Sequence, residues 1–163
     1  MCKKLHSFAP IADYNTKIMV IGTMPGEASL QAAEYYAFKH NAFWAIIFKL
    51  AKAETQNYAE KIELLKQLHI GLWDNLKVCE RKGSLDNDIK CAEPNDFENL
   101  LADFPNIKKL LFNGQKSFAF FKKYHKPLLE KYKYAILPST SPANARLSPE
   151  QKFALWQKEL SEI

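Results

Sequence analysis

The chain has 163 residues, 47% hydrophobic and 25% charged, the makeup of one compact domain that can build a core without staples. Its three cysteines, Cys2, Cys79 and Cys91, are odd in number and form no CxxC pair, which argues against a disulfide framework, a structural zinc site or an iron–sulfur cluster and points to a reducing cytoplasm. No window approaches the ~20 apolar residues of a membrane span, no signal-peptide core follows the opening Met-Cys-Lys-Lys, and a 13% aromatic content excludes disorder, so a protein neither inserted nor exported is expected.

The net charge of +5 is unevenly spread. Residues 108 to 146 hold nine Lys or Arg against one acid, Glu130, a net of +8 that leaves −3 for the rest of the chain. Such asymmetry is the electrostatic footprint expected of a protein that binds a polyanion, although a solvated lysine-rich helix face has the same composition.

In chain order, Lys17-Ile-Met-Val-Ile-Gly22 is a short apolar run ending in glycine and reads as a buried strand. An aromatic-rich linker, Tyr35 to Trp44, follows. In it Phe43 and Trp44 fall in helical register with Ile47 and read as core, whereas Tyr35 and Tyr36 precede the helix and are placed to stack on a base. His40 in the same stretch reads as a solvated or capping histidine ahead of a general acid. Asn41 to Lys52 and Tyr58 to Leu68 carry apolar residues at helical spacing. His69 to Trp73 is a second strand, and Asn95-Asp-Phe-Glu98 an Asn capping box opening a helix that stops at Pro105. Ile107 to Phe112 and Tyr132 to Leu137 are further strands, and Ser148-Pro-Glu-Gln151 caps a C-terminal helix. Strands alternating with helices predict an α/β fold on a mainly parallel sheet, and the absence of repeats or linkers predicts a single domain over 1–163.

Ligands of open parallel sheets sit outside the carboxyl ends of the strands, and here each end is unusual. The first strand ends in Gly22-Thr-Met-Pro-Gly26, the second in Trp73-Asp74-Asn75, the third in Asn113-Gly114, and the fourth in Leu137-Pro-Ser-Thr-Ser-Pro-Ala-Asn-Ala145. Neither a dinucleotide fingerprint nor a P-loop is present, which removes support for nucleotide cofactors. Singly, each segment is explained as a turn, a cap or a strand exit; four together are harder to dismiss. The last is a stiff, polar, nearly uncharged loop within the basic half, a shape that presses on a duplex.

These segments, with Ser29-Leu30, Tyr35-Tyr36, Asn41-Ala-Phe-Trp44, Gly71-Leu-Trp-Asp74 and Arg81-Lys-Gly-Ser-Leu-Asp86, resemble the uracil-DNA glycosylase superfamily, and within it most closely the hypoxanthine-DNA (deoxyinosine) glycosylases. The resemblance covers nearly the whole chain and implies a three-layer α/β/α fold around a four-stranded parallel sheet. It implies a monomer without cofactor or metal that excises a deaminated base, most of all hypoxanthine, from DNA. Gly22, Pro25 and Gly26 correspond to the first active-site turn, with Thr23 and Met24 beside the base; Tyr36 to the aromatic that stacks on it; Asn41 to a catalytic asparagine; Asp74 to a base-reading position. The DNA contacts fall to Asn113, Gly114, Lys116, Ser139, Thr140 and Ser141, with Ala143 and Asn144 as the wedge. The chain departs from the pattern at three places. Thr23 and Met24 stand where uracil- and thymine-excising relatives carry a catalytic Asn or Asp, Leu137 where some carry His, and Ala37-Phe38-Lys39-His40 where Gly-His-Pro-Arg is usual. A mismatch uracil or thymine glycosylase, or a damage-binding module without chemistry, are the alternatives.

Overall fold

The computed structural model describes residues 3–161, so Cys2 lies outside the described residues. The central sheet runs in the order β3-β2-β6-β7, all parallel, with β2 Ile18–Gly22, β3 Ile70–Asp74, β6 Lys109–Asn113 and β7 Lys133–Leu137. The four strands read from the sequence are these four, each displaced by one or two residues. β2 is buried at every position because it lies between two neighbours in plane and a helical layer on each face. Alternate side chains divide between the layers, as the two-residue period of a strand requires. Ile18 and Val20 join Phe43, Ile47, Leu65 and Trp156 from α2 Phe43–Ala51, α3 Tyr58–Gln67 and α6 Pro149–Ser161. Met19 and Ile21 join Phe97, Leu101 and Phe121 from α4 Phe97–Asp103 and α5 Gln115–His125. The fold is therefore the expected three-layer sandwich.

A second, antiparallel sheet of β1 Lys4–His6, β4 Leu76–Glu80 and β5 Lys90–Pro94 was not foreseen from the sequence. β5 is mostly exposed, so it carries no apolar period to detect. β4 starts one residue after β3, and the connection from β4 to β5, with a short 3₁₀ turn at Asp86–Asp88, is thereby thrown over the end of the central sheet.

The helix starts mostly follow their caps. Ser148 and Gln151 exchange side-chain and backbone hydrogen bonds at the start of α6, as the sequence implies. For α4 the cap is Asp96, not Asn95: Asp96 Oδ1 accepts from the Asn99 N–H at 3.1 Å. Asn95 is pulled inward because its N–H is bound to the Asn75 carbonyl, and its buried amide donates to the Asp74 carbonyl at 2.8 Å.

Candidate active site

Within the central sheet the chain leaves β2 toward β3 on one side and β6 toward β7 on the other, so a crevice opens at the carboxyl ends of β2 and β6. A cavity of about 620 Å³ lies there, within the range of small-ligand sites. Its wall includes Tyr36, Asn41, Asp74, Asp86, Lys116 and Asn144. Residues from all four strand ends thus meet in one place, as the motif spacing predicts.

Gly22 is required by close approach. A Cβ there would collide with Asp74 Oδ1 and lie 3.3 Å from the Tyr36 hydroxyl, so only the bare backbone lets the carboxyl and the ring reach the floor together. The turn is tied from behind by Asn75, 1% exposed, whose amide donates to the Gly22 carbonyl at 2.9 Å and to the Ser117 carbonyl and hydroxyl of α5. Ser117 in turn donates to the Ile21 carbonyl at 2.6 Å. Met24 packs with Leu76 and Cys79 beneath the turn, and the buried Thr23 gives its hydroxyl to Asp86.

Asp74 is 4% exposed and its Oδ2 has no hydrogen-bond partner. Burial, reinforced by the nearby Asp86 carboxylate and opposed by Arg81, pushes its carboxyl up to about 7. The sequence-based reading takes this group as ionised; in the fold its carboxyl is held well above the ordinary carboxylate range. Asp86 is raised as well, by burial, against the opposing pull of the Thr23 hydrogen bond, Arg81 and Lys116.

Tyr36 takes a left-handed backbone, φ 54°, which turns its ring away from the course of the linker. The ring stacks on Phe43 at 4.2 Å between centroids, and burial and Asp74 hold the phenol above its ordinary range, hence neutral. Tyr35 is not available for stacking on a base. It is 4% exposed, its hydroxyl donates to the Ala9 carbonyl, and it belongs to the core with Phe43 and Trp44. Asn41 stands just ahead of α2, with Oδ1 accepting from the Phe43 N–H at 2.9 Å; His40 is exposed against Phe38.

The loop after β7 is held at its base and free at its tip. Asn113 donates to the Thr140 hydroxyl and the Tyr36 hydroxyl and accepts from the Thr140 N–H, while the Thr140 carbonyl accepts from the Ala42 N–H. Asn113 and the buried Thr140 are thereby engaged inside the protein and lock the aromatic, α2 and the loop together. The Gly114 N–H is bound to the Leu137 and Phe112 carbonyls, leaving the first-turn N–H groups of α5 as the nearest backbone donors. With φ 100° and Ser139 Cβ 3.2 Å from where a Cβ would stand, Gly114 tolerates no side chain. Ser139 and Ser141 accept from the N–H groups of Ser141 and Ala143, and Pro142 and Ala143 form the exposed tip.

Sequence reasoning gave no role to Asn75, Arg81, Ser84 or Asp86. The signal was present in Arg81-Lys-Gly-Ser-Leu-Asp86, opposite charges flanking a Gly-Ser turn, but its closeness to Thr23 is visible only in the fold.

A four-stranded parallel sheet whose carboxyl edge opens into a cavity lined by Tyr36, Asn41, Asp74, Asp86 and Lys116 defines an α/β protein with a small-ligand site at its strand ends. Residues 9–161 match the uracil DNA glycosylase superfamily, and the chain belongs to that superfamily. It is 37% identical over 153 residues to a hypoxanthine DNA glycosylase of Methanosarcina barkeri, covering 91% of this chain and 94% of that protein. It is 34% identical over 149 residues to a hypoxanthine DNA glycosylase of Methanosarcina acetivorans, covering 89% and 91%. A solution NMR structure from M. acetivorans, provisionally assigned by name to the uracil DNA glycosylases, superposes with a TM-score of 0.79 at 32% identity over 98% of this chain and all of that one.

Proposed function

We propose that the chain is a monofunctional DNA glycosylase that flips a deaminated base, foremost hypoxanthine, out of DNA and hydrolyses its N-glycosidic bond. The observation that carries the reading is the buried Asp74 carboxyl with an unpartnered oxygen in a cavity shared with Tyr36 and Asn41. Hypoxanthine shows an N1–H donor beside the O6 acceptor, and the ionised carboxyl accepts from N1. Adenine shows an acceptor at N1, and facing the carboxylate it leaves an unpaired buried group worth about 1–3 kcal/mol. Uracil presents a similar N3–H and O4 edge, so it is the natural competitor.

Extrusion of the nucleotide leaves a gap that Ala143, with Asn144 behind it, fills from the minor groove, while Lys116, Ser139 and Ser141 grip phosphates. Tyr36, backed by Phe43, stacks on the base. Because Asn41 Oδ1 is taken by the Phe43 N–H, its NH₂ group is the part left to donate to the departing purine as negative charge develops there. The reading includes a single domain over 1–163 that acts as a monomer in the cytoplasm, in keeping with the free thiols of Cys79 and Cys91.

The test is release of base from duplexes carrying hypoxanthine, uracil or adenine at one position, scored as strand breakage at the abasic site in hot alkali. Breakage at hypoxanthine above the other two is expected. Asn41→Ala should lower single-turnover excision about 10²–10³-fold while DNA affinity holds. Intact strands throughout would leave only a damage-binding module.

A further inference from the structure

The attacking water must lose a proton as its oxygen bonds to C1′, and most polar groups in the cavity are poor acceptors for it. The first turn offers only Thr23 and Met24 in place of an acid. An amide is not basic, and the Asn41 carbonyl is already engaged. Asp74 is committed to the base edge. Glu27 is exposed in the first turn of α1 Glu27–Ala32, solvated at the rim. One carboxylate in the wall remains.

We propose that Asp86 is the general base of the reaction: its carboxylate, held by the Thr23 hydroxyl, orients the attacking water and takes its proton. The assignment rests on the glycosylase reading above and extends it to the residue that activates water.

Three observations support it. Asp86 comes from the β4 to β5 connection, yet this connection is stapled to the first turn at two points. Ser84 Oγ accepts from the Glu27 N–H at 2.9 Å, and Arg81 donates to the Pro25 carbonyl and, at 2.8 Å, to the Gly83 carbonyl. A carboxylate is thus delivered beside Thr23 by a rigid route from another part of the chain. Burial opposes its charged form while the Thr23 hydroxyl, Arg81 and Lys116 favour it, and the balance leaves it a stronger base than an ordinary aspartate. Its negative charge also faces the cavity in which an oxocarbenium-like sugar develops.

In the step itself, the C1′–N9 bond breaks with its electron pair passing to the base, and a water lone pair forms the new C1′–O bond. The proton lost by that water goes to Asp86 and returns through solvent to the released hypoxanthine. One water is consumed, and no oxidant or further reactant is needed.

The experiment measures single-turnover excision by Asp86→Asn on a hypoxanthine duplex, with affinity read on the same duplex bearing a non-hydrolysable 2′-fluoro deoxyinosine. A loss of about 10²-fold or more with affinity within threefold is expected, with partial recovery in Asp86→Glu and an intermediate loss in Thr23→Val. Excision by Asp86→Asn within threefold of wild type overturns the assignment and leaves the glycosylase reading intact, whereas no base release by the wild-type protein from any duplex overturns both. The groups facing Asp86 are Thr23, Tyr36, Asp74, Cys79, Arg81 and Lys116, and among them Asp74 is the other carboxyl. The acid limb of the pH–rate profile is therefore measured in an Asp74→Asn background. Its persistence supports Asp86 as the base, and its disappearance overturns the proposal even if Asp86→Asn does not fold.

Discussion

At Asp74 one residue links base recognition to stability. In the unfolded chain an Asp carboxyl ionises near 4, but in the fold this one is pushed up to about 7, chiefly by burial. Between those values the native state keeps a proton that the unfolded state has lost, so stability falls as pH rises from about 4 to 7 and levels off above. The charged groups around it, Asp86 and Arg81, are common to wild type and an Asp74→Asn variant, so the difference between the two isolates this ionisation. The melting temperature of wild type relative to Asp74→Asn should decline across that window, about 2–4 °C for each kcal/mol of ionisation cost in a domain of this size. The same variant should lose discrimination between hypoxanthine and adenine, since an amide can present a donor to the N1 of adenine. A flat difference in melting temperature from pH 4 to 8 would show that Asp74 is ionised in the fold throughout.

At the scale of elements, the loop from Pro138 to Ala145 behaves as a rigid arm with a bare tip. Its base is fastened from α6, where the Trp156 indole donates to the Pro138 carbonyl at 2.9 Å and Lys152 donates to the Ser141 carbonyl at 3.3 Å. Asn144 turns back on the loop, its amide reaching the Ser139 carbonyl and its N–H the Ser141 carbonyl, so Ala143 stands foremost. Enlarging Ala143, or replacing Asn144 with Gly, should therefore change excision from duplex more than from single strands, because only a duplex must be held open. Equal effects on both substrates would remove the wedge assignment. The elements around this loop were legible because β2, β3, β6 and β7 are short buried runs ending in glycine, amide or carboxyl residues. What escaped was decided by contacts between distant segments. Asn113 reads as a DNA contact in the sequence, which does not reveal its hydrogen bonds to Tyr36 and Thr140, and Tyr35 and Tyr36 look equivalent in sequence until a single left-handed residue separates a core ring from a cavity ring. Asp86 sits on a polar segment with no period and meets Thr23 only because β4 continues from the end of β3.

Over the whole molecule the basic segment is less uniform than its sequence. Lys109 is bound to Glu159 at 2.7 Å and to the Glu159 carbonyl, and part of the +8 is thus already balanced in the fold. Lys116 lies in the wall of the cavity, while Lys122 and Lys123 are exposed further along α5. Each phosphate neutralised by a lysine releases counterions and adds roughly 0.9 to the slope of log K against log salt. DNA affinity should accordingly fall steeply with salt, and Lys116→Ala should lower the slope by about one contact for intact and damaged duplexes alike, since a phosphate carries no base information. Replacing Lys122 and Lys123 together should lower it further only if that end of α5 follows the backbone, so the pair maps how far the duplex extends beyond the cavity. A salt slope near zero in the wild-type protein would refute the electrostatic footprint altogether, whatever the fate of the base in the cavity.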